Sequence, residues 1–444
     1  MSSEWHTVEI GSLCLGIYDG PHATPKKTTE GPVFLGISSL NSGQLDLTSL
    51  EYLSEEDFAK WTKRVVPQAG DIVFSYETRL GQVAVIPEGL RCCLGRRMAL
   101  MRVNPDKATP DYLLYAYLSP DFQDVIRQRT IHGSTVDRIP LVEFGSFPIS
   151  VPPLDVQRDV VATLRALDDH IILLRETNAT LEAIAQALFK SWFVDFDPVS
   201  AKMQGRAPEG MDEATAALFP DGLVEWELGL LPRGWAMTAI RDVVEGVYDG
   251  PHATPAESDA GPVFLGIKNL TGTTLDLGDI RHIAEADWER WTRRVVPQAG
   301  DIVFSYETTL GFFPLIPPGM RCCLGRRLAL IRPNPKGGAA HFWFHQFTAA
   351  AFQRLLEMHT IQGATVNRIA LKEFPSYSVL RPPLALQAAF DHLAAPLWSK
   401  IHENQAQAQT LATLRDTLRD TLRDTLLPRL ISGQLRLPSR EAVA

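Results

Sequence analysis

Two copies of the octapeptide YDGPHATP, at 18–25 and 248–255, set a phenol, a carboxylate, an imidazole and a hydroxyl around a Gly-Pro turn. Tyr18, Asp19, His22 and Thr24, with their repeats Tyr248, Asp249, His252 and Thr254, could exchange hydrogen bonds with base edges, although the same residues also suit a purely structural turn. His22 and His252 are retained while residues 26–30 and 256–260 differ, which favours the reading role. Arg91, Arg96, Arg97 and Arg102, repeated as Arg321, Arg326, Arg327 and Arg332, lie in a stretch without acidic residues, and Lys63-Arg64 and Arg293-Arg294 form a second basic cluster. On a shared face these side chains would contact phosphates, with one or two placed for bidentate guanine readout. Taken singly, each also reads as an ordinary solvated arginine. Thr135 in GSTVDRI and Thr365 in GATVNRI are further groups able to reach a phosphate or a base.

Catalytic chemistry is harder to place. The chain contains no GxxxxGK[ST] phosphate loop and no Asn-Pro-Pro-aromatic motif of the amino-methyltransferases. Asp71 and Glu77 are spaced somewhat as in a PD…ExK nuclease cluster, but Arg79 becomes Thr309 in the second copy, so an acidic strand end is the better reading. The five cysteines, Cys14 and the pairs Cys92-Cys93 and Cys322-Cys323, lack the CxxC spacing of a zinc or redox site and read as reduced, packed thiols. No metal site is expected.

The elements that must position these groups are organised by a repeat. YDGPHATP, GPVFLGI (31–37), VVPQAGDIVFSYET (65–78) and RCCLGRR (91–97) all recur 230 residues later, and the displacement holds from Trp5/Trp235 to Gln157/Gln387. Each copy, of about 150 residues, is far too long for a solenoid repeat. Val-, Ile- and Phe-rich runs punctuated by Gly and Pro predict strands and turns, and 110–129 predicts helix, giving a mixed α/β domain. After each copy the apolar spacing changes to threes and fours. A helix of about 38 residues is expected from Leu154 to about Trp192, and a second from about Leu384 to Leu427, with Pro396 kinking it or delaying its start. The two could bury their apolar stripes against each other as an antiparallel coiled coil. The expected fold class is α+β: two pseudo-twofold-related mixed domains, 1–153 and 234–383, separated by long helices in 154–196 and 384–430, with a linker at 197–233 and a tail at 431–444. With 45% hydrophobic and 21% charged residues the chain is globular, and without an apolar run of about 18 residues or a basic-then-apolar start it reads as cytoplasmic, with no membrane partner. The net charge of −9 argues superficially against nucleic acid, but 154–229 alone carries 14 acidic against 6 basic residues.

These residues resemble the specificity subunits of Type I restriction-modification systems. ALFKSWFVDFDPV (187–199), LFPDGL (218–223) and LGLLPRGW (228–235) look like that family's central conserved region, and TLLPRLISGQLRL (425–437) like its distal one. GPHATP in both copies, and the VPPL and RPPL segments with a downstream Gln, are similar to the boundaries of its target-recognition domains. The resemblance implies a non-catalytic subunit that reads one half of a split double-stranded DNA target with each domain. Its helices would set the half-site separation and dock two modification (methyltransferase) subunits. Restriction subunits would join the larger complex, and S-adenosylmethionine, ATP and Mg would sit on those partners. No cofactor is expected on this chain.

Two features are particular to this sequence. In most members of that family the two recognition domains differ; here they are close copies, so the half-sites are expected to be the same or nearly so in inverted orientation. Differences at Arg79/Thr309, QVAV (82–85)/FFPL (312–315), His132/Gln362, Ser134/Ala364 and Asp137/Asn367 could break that symmetry. The second helix also carries TLRD three times, at 413–416, 417–420 and 421–424, making it eight residues, or about 12 Å, longer than the first. The tetrads either tune half-site spacing or subunit docking, or form a solvated charged face. Two other functions fit parts of the pattern: a recognition subunit of a related enzyme whose methylation and cleavage activities share one chain, and a helical scaffold that does not bind DNA.

Overall fold

The computed structural model describes residues 5–133, 136–226, 229–334, 340–363 and 366–420. The chain divides into two compact units, 1–171 with 410–444, and 172–409. Each unit contains one copy of the repeat and a stretch of both long helices.

The principal strands of the first unit are β1 (His6–Glu9), β2 (Cys14–Asp19), β3 (Lys27–Leu35), β4 (Glu51–Leu53), β5 (Ile72–Ser75), β6 (Val83–Val85), β7 (Cys92–Leu94), β8 (Met98–Val103) and β9 (Pro148–Val151); its helices include α1 (Glu55–Trp61), α2 (Pro110–Leu118) and α3 (Pro120–Arg129). An antiparallel sheet of order β2-β8-β5-β6 stands beside a second, β4-β3-β7, in which β3 and β7 run parallel. β1 pairs with β9, joining the two ends of the copy. The sequence expects helix throughout 110–129, but the structure breaks it in two at Ser119. Pro120 has no N–H to continue the first helix, and the Ser119 hydroxyl instead accepts the Phe122 N–H that opens the second.

The long helix α4 (Leu154–Phe193) follows with 40 residues, one or two longer than its apolar spacing predicts. In the second unit β10 (Ala236–Ala239), β11 (Val244–Asp249), β12 (Ser258–Leu265), β13 (Arg281–His282), β14 (Ile302–Ser305), β15 (Cys322–Leu324), β16 (Leu328–Pro333) and β17 (Ser378–Arg381), with α5 (Ala340–Thr348) and α6 (Ala350–Met358), repeat the arrangement. The shared core extends to ring geometry. Phe74 stacks on Phe144 at 4.6 Å, and Phe304 stacks on Phe374 at 4.7 Å. One strand is lost in the second copy. Where β6 reads VAV, the second copy reads FPL, and Pro314 can accept from Val303 but cannot donate, leaving only an isolated Ile302–Leu315 bridge.

The second long helix, α7, is described over Leu384–Asp420. Pro396 lies inside it without delaying its start at Leu384. Within the second unit α4 and α7 run antiparallel: Phe189 and Phe193 each meet Phe390 at 5.5 Å, while Asn178 donates to the Ile401 carbonyl and accepts from Asn404 at 2.9 Å. Within the first unit Val160, Leu164 and Leu167 share a core with Leu418, and Arg415 reaches Asp168 at 2.8 Å. Leu414 and Leu418 of the first two TLRD tetrads therefore pack inward rather than forming a solvated face. The third tetrad, the distal string 425–437 and the tail lie outside the described residues. Among the described residues no helix is long and apolar enough to cross a membrane.

Candidate nucleic-acid interface

The repeated strings converge on one surface in each unit. In the first, Gly20 donates its N–H to the Met98 carbonyl, and a Cβ on Gly20 would stand 2.5 Å from the Gly95 carbonyl, so the YDGP turn can press against the RCCLGRR turn only without a side chain there. Gly95 in turn donates to Leu35, binding the GPVFLGI strand. Tyr76, leaving β5, donates its N–H to Arg97 and accepts from Ile139, while the Thr78 N–H reaches Asp137. Segments distant in sequence, 18–25, 76–79, 95–97 and 137–139, are thus joined through their backbones. In the second unit Gly250, Gly325, Tyr306 and Thr308 make the same connections to Leu328, Leu265, Arg327 with Ile369, and Asn367.

The cations fall into two groups. Arg91 is held by both oxygens of Glu55, one at 2.6 Å, with its guanidinium 4.5 Å above the Phe58 ring. Arg97 lies 3.1 Å from Glu77 and donates to Thr78 Oγ1 at 3.0 Å, and Arg64 is paired with Asp19. Arg102 donates to both oxygens of the buried Asp71, at 2.9 and 2.7 Å, and to the Val66 carbonyl. Arg321, Arg327, Arg294 and Arg332 repeat these pairings on Glu285, Glu307, Asp249 and Asp301, with Arg321 4.4 Å above Trp288. Lys63, Arg96, Arg293 and Arg326 are exposed and carry no ion pair among the described residues.

The stretch that lacks acids in sequence therefore does not lack them in space. Its carboxylates arrive from elsewhere in the chain, and each is retained across the 230-residue displacement, the one signal that could have revealed Glu55/Glu285 and Glu77/Glu307 beforehand. Asp71 and Glu77 are accounted for as partners of Arg102 and Arg97. Arg97, Thr78, Arg327 and Thr308 adopt φ between 72° and 74°, a left-handed conformation costing such residues roughly 1–2 kcal/mol each. The same two positions in each copy bring the guanidiniums onto Thr78 and Thr308.

The octapeptide loops are partly engaged. Asp19 and Asp249 contact His22 and His252 at 3.2 and 3.1 Å, while His22, Thr24, His252 and Thr254 are exposed and Tyr18 and Tyr248 are half-buried at the sheet edge. Tyr76 and Tyr306, which the sequence alone did not single out, are each 5% exposed, with hydroxyls that find no hydrogen-bond partner among the described residues. Burial, then the nearby carboxylates, pushes both phenols up to about 12. The copies differ beside this surface: His132 sits 3.2 Å from Asp137, where the second copy has Gln362 and Asn367. Thr135, Thr365, Ser134 and Ala364 lie outside the described residues. The paired cysteines are buried in β7 and β15, their thiols pushed up to about 12 by burial.

Residues 2–183 match the family model of the Type I restriction modification DNA specificity domain. Over that span the chain is similar to the Type I specificity subunits. Residues from Trp235 to Gln387 repeat Trp5 to Gln157 at constant displacement. It is 23% identical over 484 residues to the Type I restriction enzyme HindI specificity subunit of Haemophilus influenzae, spanning 98% of this chain and all of that one. It is also 23% identical to the MjaIX specificity subunit of Methanocaldococcus jannaschii over 412 residues, 88% of this chain and 85% of that one. The S subunit of a Type I system from M. genitalium shares the fold, with a TM-score of 0.54 at 15% identity over 96% of this chain and 97% of that one. The chain combines the α+β fold with two long helices, as its sequence resemblance implied.

Proposed function

We propose that this chain is a specificity subunit that reads a two-part duplex DNA site, one half with each unit, and leaves the chemistry to other polypeptides. The observation that carries the proposal is the duplicated convergence of the YDGPHATP loop, the RCCLGRR turn and the segment ending at Ile139 or Ile369, with uncommitted cations at Lys63 and Arg96 and again at Arg293 and Arg326. Such a surface offers phosphate contacts from the cations and base-edge contacts from the loops. Since the two surfaces share nearly all their side chains, the half-sites are nearly the same sequence in inverted orientation. The long helices dock two modification subunits and govern half-site separation. Restriction subunits complete the assembly, with S-adenosylmethionine, ATP and Mg bound by the partners.

Methylome sequencing of cells expressing the chain with its modification partner tests this. An interrupted, near-palindromic methylated motif that disappears without the chain is expected. Methylation or cleavage by the purified chain alone would overturn the division of labour, and binding to duplex DNA that does not weaken with salt would favour a scaffold instead.

A further inference from the structure

We propose that in each unit an aspartate acts as a gate on DNA binding: Asp19 occupies Arg64, and Asp249 occupies Arg294, so that a phosphate gains either arginine only where base contacts hold the duplex in place. The inference rests on the DNA-reading proposal above and adds how non-target DNA is refused.

Of the paired arginines at these two surfaces, Arg64 and Arg294 are the ones held lightly among the described residues. Arg91 is gripped by two oxygens and stacked on Phe58; Arg97 is largely covered, ion-paired with Glu77 and hydrogen-bonded to Thr78; Arg102 is paired with a buried carboxylate. Arg64 meets a single oxygen of Asp19 and remains 56% exposed, and Arg294 meets a single oxygen of Asp249 at 47% exposure. The second oxygen of each aspartate faces an exposed histidine, His22 or His252. A carboxylate oxygen and a phosphodiester oxygen are like-charged acceptors competing for one guanidinium. An exposed ion pair is only weakly stabilising, so the exchange lies close to balance and neighbouring interactions decide it. On non-target DNA the aspartate keeps its arginine, and the approaching phosphate gains no cation there.

The freed carboxylate has somewhere to turn. The Tyr76 hydroxyl is buried and without a partner among the described residues, and Asp19 is among the charges acting on it; Tyr306 stands in the same relation to Asp249. In the proposed open state this hydroxyl would donate to the freed carboxylate. The arrangement occurs in both units, though the intervening residues 26–30 and 256–260 differ.

The test compares the full chain with D19N/D249N, R64A/R294A and the quadruple variant, using duplexes of random sequence and the selected target across a salt series. Salt-dependent binding of wild-type protein is the precondition; without it the DNA-reading proposal fails, whatever the aspartates do. The gate predicts that D19N/D249N binds random duplexes severalfold more tightly, with a salt slope steeper by up to about 0.9 per unit as each arginine gains a phosphate. The ratio of target to non-target affinity then falls. In the quadruple variant that tightening disappears. Tightening that persists without the arginines would overturn the gate, as would weaker target binding with unchanged non-target binding, the signature of an aspartate reading a base directly. Should D19N/D249N fail to fold, R64A/R294A decides: target affinity drops while non-target affinity and slope stay near wild type, and equal loss on both contradicts the proposal.

Discussion

At the scale of single residues, this chain separates structural arginines from available ones by where it places carboxylates. Asp71 is 3% exposed, accepts from Arg102 twice and from the Gln68 N–H, and so ties the 65–71 loop to β8. Asp71→Ala leaves a partly buried guanidinium unpaired and should cost about 3 kcal/mol or more in urea unfolding. Arg96→Ala and Arg326→Ala remove exposed cations that have no carboxylate partner among the described residues. They should leave unfolding unchanged while weakening binding to target and random duplexes alike, each reducing the salt slope by about 1. The sequence displayed these arginines but not their neighbours. A stretch free of acids looks uniformly basic until Glu55, Glu77 and Asp71, 20 to 36 residues from the arginines they pair with, fold onto it. Tyr76 was equally invisible, because only packing leaves its hydroxyl without a partner.

Elements were more legible, because apolar periodicity is a local property. The spacing of Val160, Leu164, Leu167 and Ile171 located the first long helix to within a residue or two. The break at Ser119 was present as a Ser-Pro pair but was outweighed by the apolar pattern on either side. Helix packing differs between the units in a way no pattern shows. In the first, Asp168 accepts from Tyr115 of α2 at 2.7 Å and from Arg415 of α7. In the second, the counterpart of Tyr115 is His345, 2% exposed, whose Nε2 accepts from the buried Trp398 indole at 3.1 Å. Burial above all holds His345 down to about 3, and likewise His402 to about 4. An unfolded chain regains a histidine near 6.5. Between that value and the folded ones, the unfolded state therefore binds more protons, and stability falls as pH drops, by up to about 1.4 kcal/mol per pH unit per histidine. Thermal unfolding of the second unit should weaken below pH 6.5, and His345→Gln, which keeps an acceptor but does not titrate, should flatten that slope. An unchanged slope would mean that His345 is charged or hydrated in the folded state.

At the scale of the whole molecule, the repeat was plain in the sequence, whereas the assignment of helix segments to units required the fold. The first two TLRD tetrads contribute Leu414 and Leu418 to the core of the first unit and Arg415 to an ion pair with Asp168, and removal of one tetrad maps the pattern onto itself, replacing leucine with leucine and arginine with arginine. Such a deletion should preserve stability while shortening the helix by about 6 Å, close to two base-pair steps of duplex. A preferred half-site spacing that shifts accordingly supports the helix as a ruler, and an unchanged spacing removes it from that role. The residual asymmetry of the target should follow Arg79, His132 and Asp137, so the triple exchange R79T/H132Q/D137N should bring the first half-site closer to the second. The most direct test of the central claim is selection of bound duplexes from a random-sequence library by the purified chain. Two nearly identical, inverted half-sites at one fixed separation are the expected result; an enriched pool without a shared motif, or with two unrelated halves, would contradict the account of matched reading surfaces.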